Sequence, residues 1–478
     1  MILKKNNKTK NKGKKLFNSF LLFYFILTLI VGSLGIAIVA SSITVKEAQK
    51  TMLDKMSRHG RSNWIYLPLI FFDGLKSYFY KIEKLDLEVN FEDVIILEKI
   101  RQEALINNTL PPRDLLPEVN VDLFYKNKKF LGDARLKGDR PIHWKDSSKT
   151  SYKIDLNKNN YLFGMNKFSL QKPIARNYVH EWIFHEMSKE FNIKKLKYEF
   201  IELSVNGDNR GLYVIEEGFG KELIERNKRR NGPIFGLNED LNDTNINPIF
   251  EIYNKNYWSQ SENKNLALTA SKKLDDYFKG ILNPNEVFDY ERWASYFAIV
   301  DLTGTSHGAL LKSVKFYYNP INGLFEPIPF DGHRMKPNYS KYNLSYDNKL
   351  VIDHLLEPSY NERELGLGWL NNLFFIDGKL NDEFYEIYID KLNFISSENF
   401  LKNFFSKNLT KIKKINSHIY ADSFWYHDQA GGMGLYYFSL RDFKYQVKNI
   451  KNKINKDRKF QILQSNKKNY LFKDFSYQ

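Results

Sequence analysis

An acid that follows a predicted hairpin is the first candidate for chemistry in this chain. Two β-rich runs, 316–318 and 324–328, flank an Asn-Pro-Ile-Asn-Gly turn, and Asp331 comes shortly after the second run and directly before Gly332. A carboxylate at the end of a strand holds a metal ion or a reacting group as readily as it caps a turn. The pattern therefore predicts a hairpin that is followed by Asp331. The acid either holds a metal ion or a reacting group, or it caps a turn.

A basic cluster precedes this acid in the chain. Arg135, Lys137 and Arg140 surround Gly138, and Lys153 lies in the next predicted strand. Fixed cations on adjacent strands converge on an anion such as phosphate or a carboxylated sugar. A solvated basic edge of the sheet is the alternative.

Two acids, Glu216 and Glu217, end a strand-like run that begins at Gly211. One of them is placed to pair with Lys153 across the sheet. In phosphotransferases, a strand lysine held by a carboxylate orients nucleotide phosphates, and a later carboxylate binds magnesium. Asp331 has the character for that later role, whereas an ordinary cross-strand ion pair is the alternative for Lys153.

Two other motifs lack the spacing that their chemistry needs. His180 and His185 are five residues apart, about 140° around a helix, whereas two zinc ligands on one face need a spacing of four. The run at 218–221, Gly-Phe-Gly-Lys, lacks the earlier glycine and the following Ser or Thr of a phosphate-binding loop. The first pair therefore predicts no zinc site, and the second motif predicts the start of a helix.

The elements that must position these residues follow from the apolar periodicity. Alternation predicts strands at 85–91, 119–125, 130–136, 151–156 and 167–170, and a hairpin of 198–205 with 211–216 around an Asn-Gly-Asp-Asn turn. Helical patterns lie at 92–106, 177–191, 221–230, 264–280 and 286–304, and the chain after about residue 355 is helical and lysine-rich. Strands first and helices later, joined by hairpins, predict an α+β fold.

The N-terminal segment carries the clearest physical signal. No charged residue lies between Lys15 and Lys46, and residues 16–40 are almost continuously apolar, which is long enough to cross a hydrocarbon core as a helix. A cleaved signal peptide is the alternative, but the apolar run exceeds the usual h-region of about 7–15 residues. The lysines before the run predict a cytoplasmic tail, so the rest of the chain is expected on the extracytoplasmic side of the cytoplasmic membrane.

Composition narrows the classes of function. The formal charge is +16, but the first fifteen residues hold seven lysines and no acid, leaving 16 less 7, or +9, for the rest. No nucleic-acid motif accompanies this charge, so no nucleic-acid partner is expected. The chain contains no cysteine, which excludes disulfides, thiol catalysis and cysteine metal sites.

Taken in order, these pieces resemble the CotH family, the spore-coat-protein-H-like atypical protein kinases. The resemblance covers about residues 119–334. The matching residues are the runs at 135–138, 151–154 and 167–170, Arg176, the hairpin from 205–207 to 211–213 with Glu217, and the runs at 316–318 and 329–331.

The resemblance implies a divergent protein-kinase-like domain that binds ATP with Mg²⁺ or Mn²⁺ and transfers phosphate to Ser or Thr. It implies that Lys153 is the nucleotide-binding lysine, Glu217 its partner and Asp331 the metal ligand. It adds Arg135, Lys137 and Arg176 to the cofactor-binding set.

This sequence departs from the family pattern at three positions. His307 stands where the family usually carries a catalytic Asp, and Ser313 stands where it usually carries a metal-binding Asn. His333 replaces the second acid of the usual Trp-Asp-x-Asp. Asp301, six residues before His307, is the candidate substitute for the catalytic Asp, although its position on a predicted helix matches poorly.

The resulting expectation is a chain of five parts. They are a basic tail at 1–15, a transmembrane anchor at 16–41, a membrane-proximal region at 42–118, the kinase-like domain at 119–354 and a helical region at 355–478. Two functions remain open at this point. The first is an atypical kinase that phosphorylates a protein or envelope-polymer acceptor, and the second is an inactive relative that binds an envelope or surface-polymer partner.

Overall fold

The computed structural model describes most of the chain after residue 71. The described residues are 24, 27–28, 31–32, 72–238, 248–332, 338–340, 343–345, 349–356, 368–425 and 438–454. The chain divides into two compact units, Met1–Trp64 and Ile65–Gln478. In the first unit, the described residues between 24 and 32 are helical.

The predicted tail at 1–15 and almost all of the predicted anchor at 16–41 lie outside the described residues. Residues 42–71 of the predicted membrane-proximal region also lie outside them. Within the described part of the chain, no helix combines the length and the apolar character needed to cross a membrane.

Fifteen strands are assigned in the described residues and are numbered here in chain order. They are β1 Glu83–Val89, β2 Val119–Tyr125, β3 Lys128–Leu136, β4 Tyr152–Leu156, β5 Lys167–Gln171, β6 Tyr198–Val205, β7 Asp208–Glu217, β8 Ile234–Leu237, β9 Phe250–Ile252, β10 Lys315–Asn319, β11 Leu324–Ile328, β12 Asn338–Ser340, β13 Asn343–Ser345, β14 Phe375–Ile376 and β15 Lys379–Leu380.

Twelve α-helices of the second unit are numbered in the same way. They are α1 Phe91–Asn107, α2 Val179–Glu190, α3 Lys221–Arg226, α4 Lys255–Trp258, α5 Ser261–Phe278, α6 Pro284–Val287, α7 Tyr290–Thr303, α8 Val351–Leu356, α9 Asn371–Phe374, α10 Asp382–Ile395, α11 Glu398–Trp425 and α12 Leu440–Lys453. Short 3-10 helices connect several of them, including Pro173–Arg176 and Ser306–Ala309.

The first seven strands close into a barrel in the order β1-β2-β3-β4-β5-β7-β6. Neighbouring strands are antiparallel except β1 and β6, which pair in parallel and close the barrel, with Leu85 opposite Leu203. Strand alternation places one set of side chains inside the barrel, because successive residues point to opposite faces. Ala134 and Ile154 are buried in the barrel core, so Arg135 and Lys153 point outward.

A second, smaller sheet has the strand order β11-β10-β8-β9. Its β10–β11 hairpin is the predicted one, with Tyr317 opposite Glu326. The largest apolar core joins this sheet to α2, α7 and the helices after residue 350, and it includes Trp293, Phe316 and Phe443. Helices on both sides of the predicted boundary near residue 355 contribute to this core, and the boundary itself stays a prediction.

Most of the predicted elements are present, and the α+β organisation is confirmed. The predicted helix at 221–230 ends earlier, at Arg226, whose guanidinium donates to the backbone oxygen of Lys195 at 3.0 Å. Strands β8 and β9 were not predicted, since they are short and lack a clear alternation. The barrel closure was not predicted either, because it joins strands that are far apart in sequence.

Candidate functional site

The candidate site lies where the outer face of the barrel meets the β10–β11 hairpin. Phe219, which follows β7, packs edge-on against Phe330, which follows β11, with ring centroids 5.1 Å apart. The guanidinium carbon of Arg176 lies 5.2 Å from the centroid of the same Phe330 ring. These contacts bring the ends of β5, β7 and β11 into one neighbourhood.

A buried ion pair crosses the outer face of the barrel. The Lys137 ammonium lies 2.8 Å from Glu216 Oε2 and 2.5 Å from Gln171 Oε1. Burial raises the pKa of Glu216, but the charges of Lys137 and Arg176 outweigh the burial and hold that pKa below its usual value. Glu216 is therefore an ionised acid that two cations share.

Asp331 is held by a second ion pair. Its Oδ1 lies 2.5 Å from Arg176 Nη1, and the Nε of the same guanidinium lies 3.7 Å from Glu216 Oε1. The backbone at Asp331 has φ +56°, which few residues other than glycine adopt. The next residue must be small, because a Cβ on Gly332 would lie 2.4 Å from Phe184 Cδ1. The chain thus aims this carboxylate at Arg176 through a tight turn.

His307 and Ser313 lie beside the other oxygen of Asp331. His307 Nδ1 is 3.4 Å from Asp331 Oδ2 and 3.1 Å from the backbone oxygen of Asp331. The Ser313 hydroxyl lies 3.4 Å from Oδ2 and 3.1 Å from His307 Nδ1. The structure therefore brings together two of the three residues that depart from the family pattern, and the third, His333, lies outside the described residues.

Lys153 and Arg135 lie opposite each other on β4 and β3. Both line a cavity of about 500 Å³ on the outside of the barrel, together with Arg113 and Lys167. Burial, followed by the charge of Lys137, lowers the pKa of Lys153 to about 7, although Glu216 partly opposes the shift. No ion pair of Lys153 is found among the described residues, whereas Arg135 lies 3.6 Å from Glu118.

The structure does not pair Glu217 with Lys153. Glu217 accepts a hydrogen bond from the Lys197 backbone N–H at 2.8 Å and forms an ion pair with Arg226. The reason is strand alternation, since neighbouring residues of β7 point to opposite sides and only Glu216 shares the outer face with the lysines. The acid that meets a strand lysine is therefore Glu216, and the lysine that it meets is Lys137.

A larger cavity of about 740 Å³ adjoins the first. Arg113, Asp114 and Lys167 line both cavities, and Glu217 and Phe219 line the larger one. The predicted helix start at 218–221 forms part of its wall, since α3 begins at Lys221. The volume falls within the range of small-molecule sites, about 300–1,000 Å³.

Asp301 lies apart from this cluster. Its carboxylate accepts hydrogen bonds from the Val351 N–H at 2.7 Å and the Tyr388 hydroxyl at 2.5 Å. Burial raises the pKa of Asp301 to about 7. The side chain that was the candidate substitute for the catalytic Asp thus holds the C-terminal helices.

Two features that complete the cluster were not predicted from the sequence, namely the contact of Gln171 and the pairing of Arg176 with Asp331. Gln171 is the last residue of β5 and belongs to no motif, so no signal pointed to it. His185, which follows Glu181 by one helical turn, lies 3.3 Å from that acid with both side chains buried. The two side chains are neighbours because residues four apart lie on one face of a helix.

The residues around Asp331 do not fit a divalent metal. Metal ions of this kind are held by carboxylates, and Asp331 already faces a guanidinium at one oxygen, with a hydroxyl and an imidazole at the other. Across the described ranges, no group of three or more His, Asp or Glu side chains is arranged to hold a metal ion.

Comparison with known proteins assigns the chain to a family. The sequence model of the CotH kinase protein family matches residues 134–461, more than two thirds of the chain, so the chain belongs to the CotH kinase family. No curated protein sequence matches the chain significantly. Membership agrees with a kinase-like α+β fold, and it suggests nucleotide and metal use in general. Strands β1 and β2, which complete the barrel, precede the matched region.

Proposed function

We propose that this chain is a catalytically inactive member of the CotH kinase family that binds a nucleotide in its cleft. The observation that carries the proposal is the set of side chains around Asp331. Arg176, His307 and Ser313 contact this acid. A working kinase site needs a metal ion, a catalytic base and a second metal ligand around the same acid.

Nucleotide binding is supported by the charges on the outer face of the barrel and by two adjoining cavities, the smaller of which Lys153 lines. Lys137 and Arg176 place positive charge on the outer face of the barrel, although burial lowers the pKa of Lys137, and Lys153 adds to this charge when protonated. Phosphate groups bind such converging donors strongly, because charge-assisted hydrogen bonds are stronger than neutral ones. The adjoining cavity of about 740 Å³ offers room for the nucleoside.

The surroundings of Asp331 also support the loss of phosphate transfer. The base in kinases is an Asp that accepts the proton of the acceptor hydroxyl. The nearest substitute in sequence, Asp301, is bonded to Val351 and Tyr388. We therefore assign the cleft a binding role.

The place of action and the partner form a further part of the proposal. The apolar segment at 16–41 supports a single-pass anchor with the cleft on the extracytoplasmic side of the cytoplasmic membrane. A protein or an envelope polymer is the partner that such a position favours.

An active atypical kinase that phosphorylates Ser or Thr is the second candidate. One observation favours it: His307 Nδ1 lies 3.4 Å from Asp331 Oδ2, so an imidazole lies beside the acid that the resemblance gives as the metal ligand. Histidine is the most frequent general base in enzymes.

The test is ATP binding and phosphate transfer by the full-length chain in detergent, with Mg²⁺ and a generic protein acceptor. We expect the wild type to bind ATP, Lys153→Ala to bind more weakly and Lys158→Ala, an exposed lysine on the following turn, to bind normally. We expect no transfer by the wild type. The absence of ATP binding would contradict the proposal, and transfer that is lost in His307→Ala would establish the second candidate in its place.

A restoration variant sharpens the distinction. His307→Asp combined with Ser313→Asn returns two family-type residues to positions beside Asp331. If the fold is otherwise that of a kinase, this double variant should gain transfer that the wild type lacks. A wild type that is active, and a double variant that is not, would show that the chain uses its own residues for catalysis.

A further inference from the structure

The carboxylate of Asp331 is engaged at both oxygens by groups of the protein itself. Arg176 Nη1 lies 2.5 Å from Oδ1. Ser313 Oγ and His307 Nδ1 each lie 3.4 Å from Oδ2. A positively charged group thus already occupies the place beside the acid.

Arg176 is fixed in this place. Its side chain is buried, and it contacts Glu216, Asp331 and the ring of Phe330. Its backbone ends the short 3-10 helix Pro173–Arg176, and the following Asn177 is left-handed. Burial lowers the pKa of Arg176, but Asp331 and Glu216 more than offset it and leave the pKa raised, so the guanidinium stays charged.

The cluster has a net positive charge when Lys153 is protonated, because its two acids and its other two cations balance. Two acids, Glu216 and Asp331, face Lys137 and Arg176, and Lys153 adds positive charge on the same face of the barrel. A divalent cation at Asp331 would meet the buried guanidinium of Arg176, which is already paired with that carboxylate, and two cations at one acid repel each other. A phosphate group would meet guanidinium and ammonium donors that match its geometry and charge.

We infer that the cleft binds the phosphates of its nucleotide without a divalent metal, with Arg176 and Lys137 supplying the positive charge. This inference rests on the proposed nucleotide binding and specifies its chemistry. Arg176 acts as a binding residue here, and Asp331 acts as the positioning residue that holds the guanidinium.

The first experiment compares the Kd of ATP for the full-length chain in EDTA and in Mg²⁺. We expect the two values to agree within about fivefold. A Kd that rises more than about fivefold when EDTA replaces Mg²⁺ would overturn the inference and leave nucleotide binding intact. No binding in either condition would overturn nucleotide binding itself and this inference with it, so the two failures are distinguishable.

The second experiment measures Mn²⁺ directly, through the loss of the free-ion electron paramagnetic resonance signal without nucleotide. The wild type should leave the signal unchanged relative to the Asp331→Asn variant. Wild-type depletion of the signal that Asp331→Asn abolishes would show a metal at Asp331 and refute the inference.

The third experiment tests the arginine. In EDTA, Arg176→Gln should weaken ATP binding by more than about tenfold, because a fixed cation is lost. The control is Arg210→Gln, whose arginine lies on β7 with Asp208 as its carboxylate partner at 3.5 Å, and it should bind as the wild type does. An unchanged Kd in Arg176→Gln would refute the role of Arg176. If this variant does not fold, the two wild-type measurements decide the question.

Discussion

At the scale of single residues, the site consists of buried ionisable groups that set one another's charge. Glu216 is shared by Lys137 and Arg176, and Arg176 is shared by Glu216 and Asp331. Removing one member of this series of ion pairs leaves the others buried with an unbalanced charge. The loss in free energy of unfolding is larger than for an exposed pair. Titration of individual members is therefore expected to change both ligand binding and stability.

Lys153 should make ligand binding depend on pH. Burial lowers its pKa to about 7, so its positive charge is present below pH 7 and disappears above it. The affinity for ATP should fall as the pH rises from about 6 to 8.5, and Lys153→Met should reduce this fall. Isothermal titration at several pH values checks this. An unchanged pH profile in Lys153→Met would contradict the assignment, and Lys158→Met serves as the control.

Asp301 should make stability depend on pH in the acid range. Its pKa is raised from 3.8 to about 7, so between these values the folded chain holds a proton that the unfolded chain has lost. The free energy of unfolding should therefore fall as the pH rises from about 4 to 7, by an amount on the order of a few kcal/mol.

The comparison with Asp301→Asn isolates this contribution. The amide does not titrate, so the variant should lack the part of the slope that comes from this site. Urea unfolding at pH 5 and pH 8 measures the difference between the two proteins. Parallel pH dependence in both would show that Asp301 does not titrate in this range.

At the scale of elements, the long helix α11 (Glu398–Trp425) is attached to the barrel by ion pairs of different burial. Lys149, which is almost fully buried, pairs with Asp422, and the Leu212 N–H donates to the same carboxylate at 2.8 Å. Glu199 and Lys411 form an exposed pair at 3.1 Å between β6 and this helix. One interface thus offers a buried pair and an exposed pair to compare.

Asp422→Ala should destabilise the chain by about 3–5 kcal/mol, because it leaves a buried ammonium without its carboxylate. Glu199→Ala is the matched control on the same interface and should cost about 0–1 kcal/mol. Urea unfolding of both variants measures the free energies. Equal costs for the two variants would mean that burial of the Lys149–Asp422 pair does not decide its contribution.

At the scale of the whole molecule, the barrel depends on strands that precede the matched family region. β1 and β2 supply core residues such as Leu87 and Leu123, and β1 closes the barrel against β6. Without them, β3 and β6 would expose unpaired edges and an open apolar core. The folding unit of the chain is therefore larger than the region that identifies the family.

A fragment of residues 134–478 should aggregate, whereas a fragment of residues 72–478 should fold. Soluble yield and the cooperativity of urea unfolding distinguish the two outcomes. A soluble and cooperatively unfolding 134–478 fragment would show that the fold does not need β1, β2 and the part of β3 before residue 134.

The sequence by itself determined the local elements and the family resemblance. Alternation of apolar residues predicted the strands around Lys153 and the hairpin before Asp331, because these patterns depend on neighbours along the chain. The runs at 135–138 and 151–154, taken in order with the later ones, also pointed to the CotH family, to which the chain belongs.

Only the tertiary structure decided which charged groups meet. Arg176 and Asp331 are distant in sequence, and no local pattern predicts their ion pair. The choice of Glu216 over Glu217 depended on which face of β7 turns toward Lys137, and the closure of the barrel depended on the parallel pairing of β1 with β6. Such contacts depend on how distant elements pack, which periodicity along a single segment does not encode.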